Sequence, residues 1–109
     1  MNLLFICSRN KWRSRTAEII FKNRHGFQVR SAGTAASARI KVTEKMLNWA
    51  EIIFVMEKNH KQRLLERYPQ QSAEADIIVL EIPDDYQYMD PELIDILETS
   101  VMEYFESDD

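Results

Sequence analysis

Apolar positions fall into short blocks of two kinds that alternate along the chain. Leu3-Leu4-Phe5-Ile6, Ile52-Ile53-Phe54-Val55-Met56 and Ile77-Ile78-Val79-Leu80 are almost continuously apolar, the pattern of parallel strands buried on both faces. Asn2 opens the first run, and Asp76 leads into the last. Phe27-Gln28-Val29-Arg30 alternates and predicts a further strand, which Ser31-Ala32-Gly33-Thr34 breaks. Between these runs the apolar residues take helical spacing. Ala17, Ile20 and Phe21 share the core face of a helix starting near Thr16, with Glu18, Lys22 and Asn23 outward and Gly26 as its stop. Thr43 caps a short helix that presents Met46, Leu47 and Ala50. His60, Leu64 and Tyr68 share a face of a helix over Asn59 to Arg67, which Pro69 terminates. Asp90 as N-cap and Pro91 at the first helical position open the last helix, whose core face is Ile94, Leu97, Val101, Tyr104 and Phe105. The tail Glu106-Ser107-Asp108-Asp109 is expected to fray. Residues 35–42 carry little pattern.

Strands alternating with helices predict an α/β fold: three αβα layers around a four-stranded parallel sheet. Ligands of such sheets bind at the carboxyl ends of the strands. Cys7 and Asp84 each follow a predicted strand, so both are expected on that edge.

Length and composition narrow the setting. With 109 residues, a single domain over 1–109 is expected. No apolar run reaches the roughly 20 residues that span a bilayer, so no membrane association is expected. The opening Met1-Asn2-Leu3 has no basic n-region and no small-residue cleavage site, so a signal peptide is not expected. A net charge of -4 argues against nucleic acid as a partner. The sole cysteine, Cys7, excludes an internal disulfide and a multi-cysteine metal site. With one thiol and no signal peptide expected, a reducing cytoplasm is the expected setting. The sequence is silent on oligomeric state.

The chemistry concentrates in Cys7-Ser8-Arg9-Asn10-Lys11-Trp12-Arg13-Ser14. A helix N-terminus and a nearby guanidinium both favour the thiolate of a cysteine, its nucleophilic form. A loop from Cys7 to Arg13 can turn successive amides inward as an anion nest. Arg13 adds a planar fork that matches two phosphate oxygens. Asn10 tolerates a left-handed turn, and Ser14 can donate to the sulfur. Cys7 with Arg13 thus forms the reacting pair, and Ser8 through Ser14 the phosphate cradle.

Here the sequence resembles the low-molecular-weight protein tyrosine phosphatases, whose signature is V-C-x-G-N-x-C-R-S. Cys7, Asn10, Arg13 and Ser14 match it. Thr16-Ala17-Glu18 is similar to its continuation, and Ser31-Ala32-Gly33-Thr34 is the family's S-A-G-T. Phe54-Val55-Met56-Glu57 with Asn59 resembles I-x-x-M-D-x-x-N, one residue shorter. Ile82-Pro83-Asp84-Asp85-Tyr86 resembles the V-P-D-P-Y loop of the general acid. The resemblance implies a phosphotyrosine protein phosphatase I-like fold and a cysteinyl-phosphate intermediate. It implies no cofactor and no metal, and a phosphorylated protein or small phosphomonoester as substrate. It favours Asp84 as the general acid. Asp85, which stands where the family has proline, and Asp90, which has a proline after it, remain alternates. Tyr86 is expected to form a wall of the substrate cleft.

Several positions depart from the family. Arg9 replaces the glycine, Trp12 the second cysteine and Arg15 a common proline. Trp12 reads as a packing residue, and His25 and His60 as helix-surface residues. Lys58, Lys61, Arg63 and Arg67 read as a solvated helix face. The chain is shorter than typical members, mostly between Thr34 and Ile40. Ala35-Ala36-Ser37-Ala38 carries no aromatic there, so a more open cleft is expected. Three other readings compete with a phosphatase. A phosphate- or phosphopeptide-binding module would keep the cradle without turnover. A cysteine-phosphorylated carrier would lack the arginine at this spacing. An arsenate reductase would need further cysteines.

Overall fold

The computed structural model describes residues 1–106. Its strands are β1 (Asn2–Cys7), β2 (Gln28–Gly33), β3 (Ile52–Val55) and β4 (Ile77–Val79). Its helices are α1 (Arg13–Phe21), α2 (Glu44–Trp49), α3 (Lys58–Arg67), α4 (Pro69–Glu74) and α5 (Pro91–Glu106). The strands form one parallel sheet in the order β2-β1-β3-β4. The three-layer α/β fold expected from the pattern is therefore present. Among the described residues no helix is long and apolar enough to cross a membrane.

Period-two alternation along β1 sorts its side chains between the two faces. Leu3, Phe5 and Cys7 join the core under α1 and α5, with Phe21, Phe54, Leu97 and Val101. Leu4 and Ile6 join the opposite core, with Leu47 of α2 and Leu64 of α3. Phe5 is the centre of the first core: its ring stacks on Phe21 at 5.6 Å and on Phe54 at 5.2 Å. Burying each such side chain contributes about 1.5–3 kcal/mol, which holds β1 rigidly beneath the loop that follows it.

Several expectations are corrected or extended. Ser31-Ala32-Gly33 continues β2 rather than breaking it, paired with Phe5, Ile6 and Cys7. Pro69 ends α3 but also occupies the first turn of α4, where a missing N–H costs nothing. Helix α1 begins at Arg13, not near Thr16. In α5 the buried residue of the first turn is Leu93 rather than Ile94. Glu106, expected to fray, closes α5, while residues 107–109 lie outside the described residues.

In the order β2-β1-β3-β4, β1 is flanked by strands that the chain reaches in opposite directions. That is the switch point at which such sheets form a crevice beyond the strand ends. Cys7 is the last residue of β1 and stands over it.

Candidate active site

The loop from Ser8 to Trp12 joins β1 to α1, and its curvature is held from outside. Cys7 O accepts from Thr34 N at 3.0 Å, Ser8 O from Ala35 N at 2.9 Å and Arg9 O from Arg39 N at 2.9 Å. The Arg39 side chain adds a bond from Nε to Asn10 O at 3.1 Å. Asn10 turns the chain with φ 57°, which asparagine accepts with less strain than most residues. With the carbonyls engaged outward, the N–H groups of Ser8, Arg9, Lys11, Trp12, Arg13 and Ser14 have no acceptor among the described residues. Unpaired amides at a helix N-terminus are the makings of an anion site. Gly33 is what allows the close approach. A Cβ there would collide with Ser8 O and lie 2.7 Å from Ala38 Cβ.

Cys7 is 3% exposed, at the floor of this loop. Its Sγ lies 2.9 Å from Ser14 Oγ and accepts from Asn10 N at 3.3 Å. The groups behind Ser14 show what its oxygen accepts. A Glu18 carboxylate can only accept, so Ser31 Oγ donates to it, at 2.5 Å. Ser31 then accepts from Asn10 Nδ2 at 2.9 Å, and Ser14 Oγ accepts from the same amide at 2.8 Å. Ser14 Oγ keeps one proton to donate, with two acceptors in reach: Cys7 Sγ at 2.9 Å and Ala32 O at 3.4 Å, of which the sulfur is the nearer. Glu18, expected outward, is thus half-buried and anchors the chain of bonds.

Arg13 is 2% exposed. Its Nη1 donates to Glu57 Oε2 and to Ile82 O, both at 2.7 Å. Its Nε lies 3.6 Å from Asp84 Oδ1. Nη2 has no acceptor among the described residues. The guanidinium is therefore clamped on one side and open on the other. Its anchors come from the ends of β3 and β4, so the arginine ties the loop to the far half of the sheet.

Cys7, Ser8, Arg9, Lys11, Trp12, Arg13 and Asp84 line one cleft of about 410 Å³. Asn10 and Ser14, expected in the cradle, are fully buried behind the loop and hold its shape. Trp12, expected to pack, is 42% exposed and forms the aromatic side of the cleft. Tyr86, expected in the wall, is half-buried and packs against the α1/α5 core. Asp85 is exposed and does not line the cleft. Asp90 Oδ1 accepts from Glu92 N at 2.9 Å, an N-cap bond for α5.

Residues 2–79 match the family described as low molecular weight phosphotyrosine protein phosphatase. The chain belongs to that family. Membership makes it a phosphoester hydrolase, acting on phosphorylated proteins or small phosphoesters. Solved structures agree in fold. The low molecular weight protein tyrosine phosphatase SP-PTP of Streptococcus pyogenes aligns with TM-score 0.79 and 16% identity, over 99% of this chain and 93% of that one. The tyrosine phosphatase Wzb of Escherichia coli K30, in complex with phosphate, gives 0.77 and 19%, over 99% and 98%. The YwlE arginine phosphatase of Geobacillus stearothermophilus gives 0.72 and 19%, over 97% and 93%. No curated protein sequence matches significantly.

Against the family signature, the structure adds two residues that sequence reading did not assign to the site, Glu57 and His60. Glu57 follows β3 and supplies the carboxylate on Arg13. His60, expected on a helix surface, is fully buried. Its Nδ1 accepts from Glu57 N at 3.0 Å and its Nε2 lies 2.9 Å from Ser8 Oγ. Burial, with help from the Arg13 charge, lowers its pKa to about 4. The available signal was the i, i+3 spacing of Glu57 and His60 at a helix start, the spacing of a reciprocal cap.

Proposed function

We propose that residues 1–109 act as one phosphatase domain that hydrolyses phosphotyrosine in proteins through a cysteinyl-phosphate intermediate. The observation carrying this reading is the shared cleft. Cys7, Arg13 and Asp84 line it together, with unpaired loop amides around the sulfur. In the first step the Cys7 thiolate attacks phosphorus. The S–P bond forms, the P–O ester bond breaks, and Asp84 gives its proton to the leaving oxygen. Arg13 Nη2 and the loop amides hold the transferring oxygens as charge builds on them. In the second step water attacks phosphorus, the S–P bond breaks, and the Asp84 carboxylate takes the water's proton. Trp12 offers a face on which a phenyl ring can stack. The lone thiol suits a reducing cytoplasm.

A second substrate reading is phosphoarginine in proteins. It is favoured by the exposed carboxylate of Asp84 at the mouth, 62% exposed, which suits a guanidinium leaving group, and by the arginine phosphatase among the structural relatives. Phosphate release from phosphotyrosine peptides, phosphoarginine peptides, an aryl phosphate and small phosphomonoesters separates the readings. Wild type is expected to turn over the phosphotyrosine peptide and the aryl phosphate, with Cys7→Ser at background. Faster release from phosphoarginine would replace the substrate class. Phosphate binding without turnover of any substrate would make the chain a binding module. Persistent phosphocysteine would make it a carrier.

A further inference from the structure

We propose that Ser8 is a further substrate-contacting residue, its hydroxyl donating to a non-bridging oxygen of the phosphoryl group, and that His60 is the positioning residue that directs it. The proposal rests on the reading above, that the cleft takes a phosphoryl group. The family signature leaves this position open between its cysteine and its glycine, so it assigns Ser8 no role.

The direction of each bond can be fixed. The backbone N–H of Glu57 can only donate, so His60 Nδ1 accepts it, at 3.0 Å. The neutral imidazole then carries its proton on Nε2. That proton goes to Ser8 Oγ, 2.9 Å away. A hydroxyl that accepts in this way keeps its own hydrogen to give. Among the described residues no acceptor takes it, and Ser8 lines the cleft beside Cys7. The open direction is the cleft, where the oxygens of a phosphoryl group on Cys7 would lie.

The same geometry excludes His60 as a base. Its one ring lone pair is occupied by Glu57 N, and the ring is fully buried. What it supplies is polarity. The chain Glu57 N–H, His60, Ser8 runs one way and ends on a donor. Glu57 therefore orients two donors into one cleft: Arg13 through its carboxylate, and Ser8 through its amide and His60. The low pKa of His60, about 4, keeps that direction constant at neutral pH. Ser8 adds a bond to the anion without adding charge.

The test is inhibition of aryl phosphate hydrolysis by inorganic phosphate. Ser8→Ala is expected to raise the inhibition constant about 10-fold, the scale of one hydrogen bond to a charged acceptor. Ser8→Thr, which keeps the hydroxyl, is expected to stay near wild type. His60→Ala is expected to weaken inhibition when Ser8 is present and to have no further effect in the Ser8→Ala background. His60→Gln, which retains a donor for Ser8, is expected to recover part of the loss. If Ser8→Ala inhibits like wild type while wild type binds phosphate, the contact does not exist. Equal effects of His60→Ala in both backgrounds would reduce His60 to a structural residue. If wild type neither binds phosphate nor hydrolyses the ester, the underlying phosphatase reading has failed, and this inference falls with it.

Discussion

Asp84 and Asp85 are neighbours in sequence but not in surroundings. Asp84 lines the cleft and lies 3.6 Å from Arg13 Nε, whereas Asp85 is exposed outside it. A proton donor must reach the leaving oxygen, so the two should respond differently to leaving-group quality. Asp84→Ala is expected to lower kcat on a poor aryl leaving group by about 10²-fold or more, the range of general-acid catalysis, with a much smaller effect on a good one. Asp85→Ala is expected to leave both near wild type. The reverse pattern, measured over a series of substituted phenyl phosphates, would move the acid to Asp85. At this scale the sequence shows what a fixed spacing encodes: Cys7, Asn10, Arg13 and Ser14 are legible because one loop and one helix start place them. Glu57 and His60 are not, because their partners Arg13 and Ser8 lie 44 and 52 residues away. Trp12 was misjudged because whether a side chain is buried or lines a rim depends on neighbours absent from its own segment.

Among the elements, the end of β2 shows why small residues matter here. Read as a pattern, Ser31-Ala32-Gly33 looks like a break, since none of the three is a strong strand former. In the structure they complete the strand next to the loop, where bulk is excluded. Gly33→Ala inserts a methyl group against Ser8 O and Ala38 Cβ. Overpacking of this kind destabilises by about 1–3 kcal/mol. We expect a matching fall in thermal unfolding midpoint and a drop in kcat/KM of up to about 10²-fold, the cost that a 1 Å misplacement of reacting groups can carry. Unchanged kinetics in a correctly folded Gly33→Ala would mean that the loop does not need this approach. The strands were otherwise legible, because burial on both faces leaves an unbroken apolar run. The beginning of α1 was not. Its first turn buries Arg13 and Ser14, polar residues that a hydrophobic pattern cannot register. Leu93 and Ile94 are adjacent and both apolar, so the choice between them depended on helix packing that periodicity alone does not settle.

For the whole molecule, the buried histidine couples stability to pH. His60 has a pKa of about 4 in the folded chain against an ordinary value of 6.5. Between those values the unfolded chain binds the extra proton. Stability from this group is therefore complete above about pH 6.5 and falls as pH drops towards 4, by roughly 3 kcal/mol in total. Urea unfolding at a series of pH values should show this slope, and His60→Gln should flatten it. A wild-type curve with no slope in that window would mean that His60 does not enter the folded state neutral. The fold class could be read from the order of the elements, because alternation of strand and helix leaves few topologies. The site could be read only in part, since it is assembled from the ends of β1, β3 and β4 and from the stretch after β2.

The outward bonds of the loop carry a thermodynamic consequence. Thr34, Ala35 and Arg39 hold the carbonyls of Cys7, Ser8 and Arg9. Fixing the backbone of a free loop costs about 1–2 kcal/mol of entropy per residue. Here that ordering is complete when the chain folds, so an arriving oxyanion meets a surface already in its bound shape. Association then loses little conformational freedom on the protein side, and its affinity reflects the contacts formed rather than the restructuring of the receptor.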